Sequence, residues 1–147
     1  MAGYSISTDA QSFDISAIHA YLTRSYWSPG IPREVVERAI ANSLCFGVFN
    51  DSQQVGFARV ITDRATFAYL ADVFILEAHR GKGLAKWLVR VIQAHEDLQG
   101  LRRFMLMTRD AQKLYRQLGF DEIAHPSHAM EIRNPHAYVT KAPPGSS

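Results

Sequence analysis

Asp72-Val73-Phe74-Ile75-Leu76-Glu77-Ala78-His79-Arg80-Gly81-Lys82-Gly83-Leu84-Ala85-Lys86-Trp87-Leu88 passes from an apolar run, through a turn with two glycines, into a helical pattern. Upstream, Thr66 to Leu76 is apolar and aromatic enough to be a central strand. Downstream, Leu84, Trp87, Leu88, Val91 and Ile92 recur at i, i+3, i+4, i+7 and i+8, the apolar stripe of an amphipathic helix. Such a turn has a chemical consequence. The first amides of a helix lack intrahelical acceptors and carry partial positive charge, so phosphate groups are held well where glycines let them come close. Arg80 and Lys82 can add charge-assisted contacts, and small Ala85 leaves room over the first helical turn. The spacing matches neither the G-x-G-x-x-G dinucleotide fingerprint nor a phosphate loop ending in Gly-Lys-Ser/Thr.

Working outward, Leu44 to Asn50 and Val55 to Thr62 are rich in strand formers, and Asn50-Asp51-Ser52-Gln53 supplies hairpin turn chemistry between them. With Thr66 to Leu76 they make three consecutive antiparallel strands. Tyr4 to Ser7 alternates as an edge strand does. Ile15, Ile18 and Leu22, then Val35, Val36, Ala39 and Ile40 after Pro32, mark two helices around the aromatic loop Tyr26-Trp27-Ser28-Pro29-Gly30-Ile31. Arg103 to Met107 reads as a strand, and Ala111, Leu114, Tyr115 and Leu118 as a short helix closed by Gly119. Asp121 to Ala124 and Ala129 to Ile132 are expected to be final strands. The order predicts an α/β fold with a mixed, mostly antiparallel sheet flanked by helices. Residues 1–140 are expected to form one domain, with a mobile tail over 141–147 that holds Pro-Pro-Gly-Ser-Ser.

A chain of 147 residues is one domain's length and can bury roughly 70% of its unfolded surface. Its charge of +2 comes from scattered basic residues, which does not demand nucleic acid as a partner. No apolar run approaches the roughly 18 residues of a membrane span. Cys45 is the single cysteine and no signal segment opens the chain, so a reducing cytoplasm is the expected location. Cys45 sits in an apolar run and is expected in the core. His125-x-x-His128 and His136 lack the cysteines or carboxylates that would complete a metal shell, and no metal is expected.

Arg80, Gly83 and Ala85 meet the Q/R-x-x-G-x-G/A acetyl-CoA signature of the Gcn5-related N-acetyltransferase (GNAT) family, which the chain resembles. The resemblance extends to the strand Asp72-Val73-Phe74-Ile75 and to Ala111-Gln112-Lys113-Leu114-Tyr115-Arg116-Gln117-Leu118-Gly119-Phe120. It implies the acyl-CoA N-acyltransferase fold and acetyl-CoA as the donor. It also implies backbone pairing of Phe74 and Ile75 with the pantetheine arm, with the pyrophosphate on Gly81, Lys82, Gly83, Leu84, Ala85 and Lys86. Thr108 stands where many relatives have a cofactor-contacting asparagine, and Glu77 where a proline is common. His79 can reach coenzyme A at the turn.

The same resemblance makes Tyr115 the acid that protonates the departing thiolate, and a main-chain amide near Phe74 or Ile75 the oxyanion donor. The glutamate base of many relatives aligns with Tyr69, so this chain lacks the usual carboxylate. Asp72 is the nearest candidate, although strand alternation puts it opposite Tyr69 unless a bulge turns it. A water chain ending at Asp72, Asp63 or Tyr69, or uptake of a neutral amine, serves equally. Tyr26, Trp27 and Tyr69, with Phe67, are candidates to line the acceptor pocket.

The expected activity is therefore acetyl transfer to a primary amine, favouring a small amine or aminated metabolite, by direct attack in a ternary complex. A non-catalytic acyl-CoA-binding regulatory module and a protein or peptide lysine acetyltransferase are the alternatives. A nucleic-acid domain would have to rely on Arg80, Lys82, Lys86, Arg90, Arg102 and Arg103. Exposed strands near the C-terminus would allow a homodimer.

Overall fold

The computed structural model describes residues 1–138. The boundary at 140 and the tail at 141–147 lie outside the described residues. In chain order the elements are β1 (Tyr4–Ser7), α1 (Ile15–Leu22), α2 (Arg33–Ala41), β2 (Leu44–Asn50), β3 (Gln53–Thr62), β4 (Phe67–Ile75), α3 (Leu84–Ala94), β5 (Arg103–Leu106) and α4 (Gln112–Gln117). The strands lie side by side in sequence order; β1 to β4 are antiparallel, and β5 joins β4 in parallel after the α3 crossover.

Each face of the sheet has its own core. On one, Leu84, Leu88, Val89 and Ile92 of α3 are buried against Phe46, Val48, Val60 and Leu70, with Tyr115 and Leu118 beside them. Each such aliphatic side chain contributes about 2 kcal/mol by leaving water. Trp87 lies at the margin of this stripe, partly buried against the core. On the other face, Ile18, Leu22, Val36 and Ile40 cover Cys45, Phe49, Phe57 and Phe74. Asp14 caps α1 by accepting from the Ala17 amide at 3.0 Å. Pro32 stands at the N-cap of α2, and its carbonyl accepts the first bonds, from Val35 and Val36.

The sheet is irregular at β4. Phe57 pairs with Phe74 and Arg59 with Ala71, so Ala58 alone faces both Asp72 and Val73. This is a β-bulge, and Asp72 takes a left-handed φ of 55° to make it. The extra residue switches the strand's faces. Ala68 and Leu70 point to the α3 core, and beyond the bulge Ile75 does so while Phe74 joins the α1–α2 core. Asp72 thereby shares a face with Tyr69, as the bulge alternative required. β5 pairs only with Phe67 to Leu70, so on that side β4 runs on to Ile75 without a neighbour.

Two expected strands are absent. Asp121 to Ala124 and Ala129 to Ile132 form no strand, and between them Pro126–His128 is a single 3-10 turn. Alternation gave each the look of a strand, but a strand needs a partner edge, and neither segment pairs with any of the described residues.

Candidate active site

The gap beside β4 opens into a cavity of about 990 Å³. Its walls bring together Tyr26 and Trp27 from the loop after α1, Phe74 and Ile75 from β4, Arg80, Gly81, Gly83, Leu84 and Ala85 around the glycine turn, and Tyr115 from α4. Lys86 also lines it, whereas Lys82 does not. Asp72 and Tyr69 of β4 do not line it, and Asp72 reaches it only through its bond to Trp27. Thr108 faces a different cavity and spends its Oγ1 accepting from the Ala111 amide at 3.1 Å, which leads into α4.

The turn is open to a ligand. Gly81 and Gly83 have φ of 80° and 79°, which suits glycine, and a Cβ at either would meet nothing within 4 Å. The first helical bond of α3 runs from the Trp87 amide to the Gly83 carbonyl at 3.0 Å. Gly83 is the N-cap and supplies no side-chain bond. Among the described residues no acceptor reaches the amides of Leu84, Ala85 or Lys86, which leaves a cluster of free donors at the helix's positive end. This donor set fits a pyrophosphate.

The basic side chains have local duties. Arg80 donates from Nε to the Ile75 carbonyl at 2.9 Å and from Nη2 to the Tyr21 hydroxyl at 2.9 Å, clasping the strand end to α1. Lys82 turns to β1, where its Nζ donates to the Tyr4 hydroxyl at 3.1 Å, and His79 Nδ1 lies 2.9 Å from the same oxygen. Lys86 donates to Gln117 at 3.2 Å.

Backbone polarity follows from the ladder. The Leu76 amide donates to the Val55 carbonyl at 2.8 Å, toward β3. Alternation then turns the Ile75 amide and carbonyl the other way, into the cavity, as the Arg80 bond to that carbonyl requires. Of the two candidate oxyanion donors, Ile75 thus faces the gap and Phe74 faces β3.

Tyr115 is buried, yet no group among the described residues bonds its hydroxyl, whose side chain borders the cavity. Burial, and next the nearby Tyr26, pushes its phenol up to about 12. Burial and then the Asp72 carboxylate also push Tyr69 up. Cys45 is buried in the α1–α2 core, and that burial raises its thiol to about 12, far from reactive.

Asp72 is fully engaged. Arg59 Nε donates to Oδ2 at 2.8 Å and Trp27 Nε1 to Oδ1 at 2.9 Å. The pair is nearly enclosed, with side-chain exposures of 17% for Arg59 and 10% for Asp72. Removing one partner of such a pair strands the other charge. Asp72→Asn is expected to cost about 2 kcal/mol in a urea unfolding titration and to shift Trp27 fluorescence; an unchanged midpoint would show that Arg59 re-pairs with solvent.

The acetyltransferase (GNAT) domain family matches residues 41–122, more than half of the chain. The chain belongs to the GNAT acetyltransferase family. It is an acyltransferase, and the family draws its acyl group from acetyl-CoA. A GNAT-family protein from Xanthomonas campestris pv. campestris, inferred to be an acetyltransferase, is 50% identical and superposes with a TM-score of 0.92 over 95% of this chain and 99% of its own. An inferred acetyltransferase of Gibberella zeae is 34% identical over 135 residues, spanning 76% of this chain and 75% of its own. N-acetylglutamate synthase from Neisseria gonorrhoeae, solved with coenzyme A and N-acetyl-glutamate, shares the fold at a TM-score of 0.66 and 19% identity over 80% of this chain and 28% of its own.

Within the GNAT frame three residues stand out that sequence patterns did not single out. Tyr21 stacks on Phe74 with centroids 4.0 Å apart, forming a floor for the cavity. Arg109 lies over the Tyr26 ring at 3.8 Å and fixes the loop that carries Trp27. Arg59 was detectable: a charged residue between Ala58 and Val60 in a buried strand requires a partner.

Proposed function

We propose that this GNAT protein moves the acetyl group of acetyl-CoA to the primary amine of a small molecule by direct attack in a ternary complex. One observation carries the reading. A single cavity joins the free amides of α3, the Ile75 amide, the unbonded Tyr115 hydroxyl and an aromatic wall of Tyr26 and Trp27. Acetyl-CoA, when bound, supplies the activated acyl group. The amides of Leu84, Ala85 and Lys86 hold its pyrophosphate, and the backbone of Ile75, which faces the gap where that of Phe74 faces β3, orients its arm. The Ile75 amide donates toward the carbonyl oxygen that gains charge, and Tyr115 holds a proton for the departing sulfur.

Asp72 serves the acceptor side by position. With both oxygens taken by Arg59 and Trp27, it holds the indole at the cavity rim, and the amine's proton leaves through water. The exposed faces of Tyr26 and Trp27, 47% and 40% accessible, favour a compact acceptor that an aromatic wall can hold. Trp27→Ala is expected to raise the acceptor KM about tenfold while leaving the acetyl-CoA KM within twofold, read from two-substrate steady-state kinetics.

Calorimetric titration with acetyl-CoA, followed by free-thiol release across small amines, amino sugars and lysine peptides, tests the whole reading. Binding with turnover on small amines supports it. Turnover confined to lysine peptides would replace the acceptor class, and binding without any turnover would favour a regulatory acyl-CoA module.

A further inference from the structure

The first strand brings Tyr4 to the donor turn. β1 pairs Tyr4 with Asn50 and Ile6 with Val48, and both side chains pack against the core on the α3 side of the sheet. His79 ends the 3-10 turn Glu77–His79 that leads into Arg80 and the glycines. Its ring meets the Tyr4 ring edge-on, with centroids 5.8 Å apart and planes at 88°. Lys82 Nζ stands over the same tyrosine, 5.6 Å from its centroid. One residue from the sheet's far edge thus holds two side chains of the turn, one on each side of Arg80-Gly81.

The bonds at the Tyr4 hydroxyl have a direction. Lys82 can only donate, so its Nζ takes a lone pair of the Tyr4 oxygen at 3.1 Å. His79 Nδ1 lies 2.9 Å from that oxygen. Among the described residues the hydroxyl has no third partner, so its own hydrogen has one internal acceptor, which is Nδ1. The chain therefore runs from Lys82 to Tyr4 to His79 and leaves the neutral imidazole with its proton on Nε2. Each bond polarises the next, and the lysine charge at the head strengthens the N–H at the end as a donor. Nε2 bonds nothing among the described residues, and His79 lines the cavity that holds the free α3 amides.

We infer that Tyr4 is a positioning residue of the donor site: it fixes His79 in the tautomer that presents Nε2–H to a phosphate oxygen of acetyl-CoA. This rests on acetyl-CoA being the donor held in this cavity. The opposite tautomer would turn a lone pair toward the cavity and repel an anion. His79 supplies the bond, and Tyr4 and Lys82 act through it. Lys82 does not line the cavity, and this chain gives it a role at a site it does not touch.

Nitrogen NMR of the ligand-free full chain at mildly alkaline pH should show His79, identified by the signal that His79→Gln lacks, with Nε2 protonated and Nδ1 bare. Tyr4→Phe should return it to a mixture of tautomers, while the ring keeps its core packing and its edge contact with His79. By calorimetry Tyr4→Phe should bind acetyl-CoA about fivefold more weakly, the scale of one hydrogen bond. His79→Gln carries an amide N–H near the place of Nε2–H and should bind within about twofold of wild type, whereas His79→Asn, too short to do so, should lose about tenfold. Nδ1 protonated in wild type, wild-type affinity in Tyr4→Phe, or His79→Gln no better than His79→Asn would each overturn the positioning role while acetyl-CoA still binds. A wild type that does not bind acetyl-CoA overturns the donor reading, and this inference falls with it.

Discussion

Gly83→Glu is expected to weaken acetyl-CoA binding at least a hundredfold, a loss of about 3 kcal/mol. Two effects combine. Gly83 sits at φ 79°, where a side chain costs about 1–2 kcal/mol, so the turn relaxes or is strained. The new carboxylate also projects into the open space where a Cβ meets nothing within 4 Å, which is the space the free amides of Leu84, Ala85 and Lys86 serve. Its charge opposes any phosphate there and competes for the same donors. Gly83→Ala separates the two effects, because it carries the strain without the charge and should lose far less affinity. Thermal unfolding of both variants should fall by a few degrees at most, since no packed atom is displaced. Should the folded Glu variant titrate within threefold of wild type, the donor's phosphates lie elsewhere.

The parts of this fold that could be read from sequence are those whose signal is local. The stripe from Leu84 to Ile92, the Asn50-Asp51-Ser52-Gln53 turn and the glycines at 81 and 83 each need only their neighbours, and each stands where expected. The bulge at Asp72 was not local. No glycine marks its left-handed φ, and its cause is the Arg59 and Trp27 bonds that hold the carboxylate from two distant elements. The same holds for Arg80 and Lys82. Their type suggested phosphate, but where a long side chain turns depends on partners such as Tyr21 and Tyr4, which the motif does not contain. Asp121–Ala124 and Ala129–Ile132 failed as strands for a related reason: alternation records that a segment suits a sheet, not whether the fold brings an edge beside it.

Tyr115→Phe should lower kcat for thiol release by about a hundredfold or more, the scale of losing a positioned acid, with acetyl-CoA affinity nearly unchanged. The substitution is nearly silent for packing. The Tyr115 ring meets Phe120 edge-on at 5.8 Å and lies in the α3 core, contacts that phenylalanine keeps, and the lost hydroxyl bonds nothing among the described residues. Its environment also sets a pH signature. An ordinary phenol ionises near pH 10, whereas burial holds this one protonated up to about 12. Any alkaline fall in rate caused by Tyr115 therefore lies above pH 10, and below it the rate climbs as the amine acceptor loses its proton. Stability carries the same sign. The unfolded phenol ionises first, so the wild type loses stability as pH rises from about 10 to about 12, and the phenylalanine variant escapes that loss. A variant that keeps more than a third of the wild-type rate, with melting unaltered at neutral pH, would move the proton donor to a water or to another side chain of the same cavity.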